Sequence, residues 1–209
     1  MNLLQPSRRC AHLMSPARML VLGACALLTA CGGGGNPLAN PADVANPAGT
    51  GGTKLSFEYF QRCIQPLLVT PLAGPTGTNT CAASGCHSNA NGTGGALRII
   101  ENAALVDLAD AANTAEKVRA TEMYRNYYSS LGVSVAGDAA QSRLLTKPLV
   151  KGVLHGGGVI LASDQDPAAR LMRYWIEHPA PAGQDEFSNA SWALFTPADP
   201  ATGTCNTGL

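Results

Sequence analysis

Two thiols and an imidazole stand together in Cys81-Ala82-Ala83-Ser84-Gly85-Cys86-His87, a C-x4-C-H string. Four readings compete for such a string. The thiols can add across the two vinyl groups of a porphyrin while the adjacent histidine is held against one face of the iron; the commoner spacing for that chemistry is C-x-x-C-H. They can close a short disulfide loop with each other. They can serve zinc, although Cys86 and His87 are adjacent and do not easily face one tetrahedral ion together, and no second C-x-x-C pair is present. The spacing can also be accidental. In the porphyrin reading Cys81 and Cys86 carry covalent haem and His87 is the proximal iron ligand. The four-residue spacer keeps the Cys86-His87 pair and lengthens the loop between the thioethers. Gly85 then lets the backbone approach the porphyrin edge, where a Cβ would clash.

A second imidazole belongs to the same chemistry. His155 is followed by Gly156-Gly157-Gly158, and glycines let a backbone pass close to a flat ring. His155 opposite His87 would be the distal ligand of a bis-histidine, low-spin iron. The rivals for that position are Met172 and Met123, which read as core fillers on helices, and His178. His178 stands just before Pro179, where a cation-capable residue favours a helix C-terminus. An open position is the remaining alternative. His155-Gly-Gly-Gly also matches the oxyanion-hole string of lipases and esterases, but the chain has no G-x-S-x-G nucleophile elbow. Gly92, Gly94 and Gly95 lack the Lys-Ser/Thr that would follow in a phosphate loop.

These residues need elements to position them. Ser56 can cap a helix carrying Phe57, Phe60, Ile64 and Leu67 at helical spacing, which Pro66 should bend or end. Residues 70–95 are rich in Gly, Thr, Asn and Pro and read as loop. Leu97-Arg98-Ile99-Ile100 can form a short strand or turn. A helix should start at Asn113, with Glu116 three residues on, and run to about Ser130, burying Val118, Met123 and Tyr127. A short helix falls between Ser142 and Leu149. Asp166-Pro167 starts the last helix, which stops at His178. No strand alternation is long enough for a sheet. The expected fold class is mostly α, a small helical domain with long loops.

At this point the sequence resembles the c-type cytochromes of bacteria, some of which carry the longer C-x4-C-H spacer. The stretch from Phe57 to Leu97 is similar to the opening of small cytochrome c domains: an apolar helix, then Ile64-Gln65-Pro66-Leu67-Leu68, a loop and the haem signature. Ser142-Arg143-Leu144-Leu145 and the closing Leu171 to Ile176, with Trp175-Ile176, resemble their second half. The likeness covers most of residues 54–178, and only the haem motif in it is specific. The resemblance implies a cytochrome c-like helical fold, one covalent haem c and single-electron transfer. It has one departure: where many such domains carry Met-Pro-Pro, this chain has His155-Gly156-Gly157-Gly158. Exchanging a Met ligand for His lowers the reduction potential.

The N-terminus reads as an address. Arg8, Arg9 and Arg18 precede an uncharged run from Met19 to Ala30, too short to span a bilayer but right for a signal peptide. Leu28-Thr29-Ala30-Cys31 resembles the lipobox of bacterial lipoproteins, which implies a signal peptide over 1–30 and lipidation of Cys31. Gly32, rather than Asp, follows the cysteine, which in that family implies sorting to the outer membrane. The protein would then be lipid-anchored there, facing the periplasm or exposed at the surface. Residues 31–53 are Gly- and Pro-rich with almost no bulky apolar side chain and read as a disordered tether; residues 54–209 form the haem domain.

Composition bounds the partners. Of 209 residues, 14 are basic and 14 acidic, for a net charge of zero. Loss of residues 1–30 removes three arginines and no acid, leaving 11 basic and 14 acidic residues. Neither balance suits a nucleic-acid binder. With Cys31 lipidated and Cys81 and Cys86 on haem, Cys63 and Cys205 remain in an oxidising compartment. They are expected to pair as a disulfide, two buried free cysteines being the alternative. The whole reads as a monohaem c-type cytochrome lipoprotein, an electron carrier rather than an enzyme, working with a redox protein in the cell envelope. A subunit feeding a redox enzyme is compatible with the same residues. The competing function is a non-haem, disulfide-stapled envelope lipoprotein acting as a binding or assembly module.

Overall fold

The first helical turns described show how apolar spacing is translated into structure. The Ser56 hydroxyl accepts the Tyr59 N–H at 3.1 Å, capping helix α1 (Phe57–Tyr59). The chain then widens into a π-turn, Phe60–Ile64, and returns to α geometry in α2 (Gln65–Val69). Pro66 does not end the helix. It sits in the first turn of α2, where a missing N–H is least costly, and the π-turn before it re-registers the ladder, Gln65 N–H bonding the Phe60 carbonyl. A π-turn holds one residue more than an α-turn, so the apolar stripe slips by one: Leu68 is buried, and Leu67, expected inside, is half-buried.

A computed structural model describes residues 52–188 and 193–208. These belong to one unit, Pro37–Leu209, and the other unit, Met1–Asn36, lies outside the described residues. So do the signal peptide, Cys31 and all of the tether but Gly52 and Thr53. After α2 the chain forms a ribbon, β1 (Leu72–Gly74) and β2 (Gly77–Asn79), antiparallel with Gly74 opposite Gly77. The single helix expected from Asn113 is two: α3 (Ala115–Arg119) and α4 (Glu122–Leu131). Thr114 caps α3, and Thr121, with extended backbone, breaks the run and caps α4 by accepting the Tyr124 N–H at 3.2 Å. Threonine competes for backbone bonds in this way wherever its hydroxyl can reach a free N–H. Helices α5 (Arg143–Thr146) and α6 (Pro167–Glu177) follow. Asp166 caps α6, with its carboxylate 2.9 Å from the Ala168 N–H.

The core is aromatic. Phe57, Phe60, Tyr124, Tyr127 and Trp175 are almost fully buried, with ring centres of neighbouring pairs 5.2–6.2 Å apart and tilted or edge-on. This is the arrangement that ring quadrupoles favour. Their polar ends are satisfied: Trp175 Nε1 donates to the Ser56 carbonyl at 2.9 Å and Tyr127 to the Leu55 carbonyl at 2.6 Å. Cys63 and Cys205 form a disulfide with Cα atoms 6.0 Å apart, tying the π-turn to the C-terminal ribbon of β3 (Phe195–Thr196) and β4 (Thr204–Cys205).

The expectation of a mostly α, cytochrome-like helical domain is overturned. Among the described residues 28% are helical and 8% lie in strands. The structure is a small mixed one, in which short helices and two ribbons are held by turns and long loops. The physical reason is in the composition: 23 Gly and 14 Pro interrupt backbone ladders and favour turns. The segment read wholly as loop, 70–95, also contains a hairpin. Its residues carry no alternating pattern, and packing against the loop at Ile160 holds it instead.

Candidate functional site

His87 is fixed by a backbone clamp. Its N–H donates to the Cys81 carbonyl at 2.8 Å, and its own carbonyl accepts the Ile99 N–H at 2.8 Å. Ser88 and Ile99 form a parallel bridge, so Leu97–Ile100, expected as strand or turn, serves as the outer wall of the motif. The His87 Nδ1 lies 3.2 Å from the Leu97 carbonyl. A carbonyl only accepts, so Nδ1 carries the proton and Nε2 keeps its lone pair. This is the outer-sphere bond that ligating histidines commonly make. Gly94 packs over the ring: a Cβ there would stand 2.7 Å from the Cys86 carbonyl oxygen and 2.7 Å from the ring's Nδ1 and Cε1. Gly85 lines the cavity that His87 faces, and a Cβ on it would meet no protein atom within 4 Å.

His155 is built in the same way on another loop. Its Nδ1 lies 2.9 Å from the Gly158 carbonyl, and its carbonyl accepts the Gly158 N–H at 2.9 Å. Gly158 has φ +72°, which a side chain would strain. The β1–β2 hairpin supports this loop from behind. A Cβ on Gly74 would stand 2.4 Å from the Ile160 carbonyl oxygen, and the Thr76 hydroxyl donates to the Val159 carbonyl at 3.3 Å. Ile160 and Leu161 N–H groups both reach the Pro148 carbonyl, at 2.8 and 3.1 Å.

The two imidazoles face one cavity of about 500 Å³, lined also by Cys81, Cys86, Met172 and Leu68. Their ring centres are 6.2 Å apart and their planes differ by 6°, too far apart for direct ring stacking. An imidazole nitrogen lies about 1.1 Å from its ring centre and about 2.0 Å from a bound metal ion; two imidazoles on opposite sides of one ion therefore have centres roughly 6 Å apart. The spacing of the pair matches that of two axial ligands on a haem iron. Among the described residues no group of three or more His, Cys, Asp or Glu is placed to hold a metal ion; a porphyrin brings four nitrogens of its own.

Cys81 and Cys86 are half-buried free thiols in this cavity, not joined to each other. Burial, with Cys86 adding to it, pushes the Cys81 thiol up to about 11. Burial also holds His87 below the usual histidine range. The Leu97 carbonyl opposes that shift, while His155, Arg98 and Lys147 reinforce it. The neutral ring is the form that ligates.

Of the rivals, Met172 lines the cavity and is buried. His178 does not line it: it ends α6, with its ring stacked on Tyr174 at 3.9 Å and Nδ1 2.8 Å from the Tyr174 carbonyl. Met123 lines a separate groove beside Cys205. Gly94, the Leu97 carbonyl and the β1–β2 hairpin were not recognisable as site residues from sequence, because each acts through backbone geometry. Among the described residues no helix is long and apolar enough to cross a membrane. No protein-family model, no curated protein and no solved structure matches the chain.

Proposed function

We propose that this chain is a monohaem c-type cytochrome lipoprotein that carries single electrons in the bacterial cell envelope. The observation that carries the reading is the near-parallel pair His87 and His155, 6.2 Å apart across a cavity that also holds Cys81 and Cys86. Cys81 and Cys86 would hold the haem covalently, His87 and His155 would bind the iron from opposite faces, and the haem would supply a one-electron Fe(III)/Fe(II) couple. The protein's part is positional. Carbonyls at Leu97 and Gly158 fix both ring tautomers, and apolar Leu68, Leu97, Leu144 and Ile160 line the cavity. Rings held this firmly before electron transfer rearrange little during it. Lipidation of Cys31 would keep the carrier at the outer membrane, within reach of a redox protein partner.

The test is an absorption spectrum and a haem stain of denatured protein, after expression with cytochrome maturation machinery. A low-spin spectrum and a stain that survives denaturation are expected, and Cys81→Ala with Cys86→Ala should abolish the stain. A properly matured wild type without haem absorbance overturns the reading and leaves the disulfide-stapled envelope module. Cell fractionation of Cys31→Ser should show loss of membrane association; retention places the anchor elsewhere.

A further inference from the structure

The described basic side chains divide unevenly. Five sit in ion pairs, and three more donate to carbonyl or hydroxyl oxygens. Lys54, Arg143 and Lys147 do neither among the described residues, and two of these three line the cavity of His87 and His155. Arg143 and Lys147 are one helical turn apart, at the start of α5 and at its C-cap, so both side chains project to the same side. No acidic residue lines the cavity, although acids outnumber bases once residues 1–30 are set aside. A cation pair left without counter-ions at a mainly apolar cavity is suited to a ligand whose body is apolar and whose edge is anionic.

We propose that Arg143 and Lys147 are the counter-ions of the porphyrin's two propionate carboxylates, an inference that rests on the haem reading of this cavity. The pairing has two consequences. It would anchor the propionate edge of the macrocycle, as the Cys81 and Cys86 thioethers would anchor its vinyl edge. It also offsets carboxylate charge close to the iron, and uncompensated negative charge favours the ferric state. The two cations therefore hold the reduction potential above the value it would have without them.

The matured holoprotein carrying Arg143→Gln and Lys147→Gln tests this, beside Arg143→Glu with Lys147→Glu. The covalent haem stain and the low-spin spectrum should persist in both. The reduction potential should fall in the neutral variant and fall further in the charge-reversed one. The propionate bending band in the resonance Raman spectrum should shift, because that band reports the bonds the carboxylates make. An unchanged potential overturns the proposal, and so does a lowered potential with an unmoved propionate band, which would make the cations a diffuse field rather than a clamp. In both cases the haem stain still stands for the underlying reading. A matured wild type without haem overturns both.

Discussion

At the scale of single residues, the site depends on which nitrogen of each imidazole is free. Both Nδ1 atoms are taken by backbone carbonyls, so each ring presents Nε2. His155→Ala should open the sixth position, giving a high-spin spectrum and carbon monoxide binding, whereas His155→Met should keep six-coordination and raise the potential, since His/Met ligation does so. If His155→Ala leaves the spectrum low-spin while Met172→Ala disrupts it, the distal ligand is Met172. Gly94 is the glycine packed on the His87 ring. Gly94→Ala puts a Cβ against the Cys86 carbonyl and the His87 ring; it should destabilise the fold by about 1–3 kcal/mol, as overpacking does, and disturb the haem spectrum.

At the scale of elements, His87 and His155 are each delivered by a loop that another element braces. The His155 loop turns at Gly158, in a left-handed conformation, and leans on the β1–β2 hairpin at Gly74. Gly74→Ala should push the hairpin off Ile160 and loosen His155, read as partial high-spin character without loss of covalent haem. A low-spin spectrum equal to wild type would remove the hairpin from the site. The break between α3 and α4 makes a separate prediction. Thr121→Ala removes the α4 cap and should cost about 1 kcal/mol, seen as a lower urea midpoint with the haem spectrum unchanged.

At the scale of the whole molecule, two long-range ties close the chain. The Cys63–Cys205 disulfide spans 142 residues of sequence, and a link of that length contributes about 4–5 kcal/mol in the chain-entropy model. Cys63→Ser with Cys205→Ser should lower the urea midpoint accordingly, and a non-reduced digest of wild type should yield one peptide joining the two. The second tie is Glu186, whose side chain is fully buried, with Arg119 Nε at 2.9 Å and the Tyr124 hydroxyl at 2.6 Å. Burial alone would push this carboxyl up; the Arg119 and Tyr124 bonds more than offset it and hold it below the usual carboxylate range. A carboxyl depressed in the folded state adds stability above its unfolded value, here about 4.5, and loses it as pH falls through the folded one. Arg119→Met removes the offset, so the variant should be destabilised at neutral pH and regain part of the difference on acidification, in melting curves from pH 7 to 4. The sequence alone determined the chemistry-bearing residues and the local start signals: Cys81, Cys86, His87 and His155 stand out by type and spacing, and Ser56 and Asp166 cap helices because capping is a property of neighbours in the chain. Only the tertiary structure decided the balance of helix, ribbon and loop, the one-residue slip from Leu67 to Leu68, and the 6.2 Å between two imidazoles 68 residues apart in sequence. Those depend on long-range packing among glycine-rich segments, whose backbones are free to adopt many conformations until a distant contact selects one.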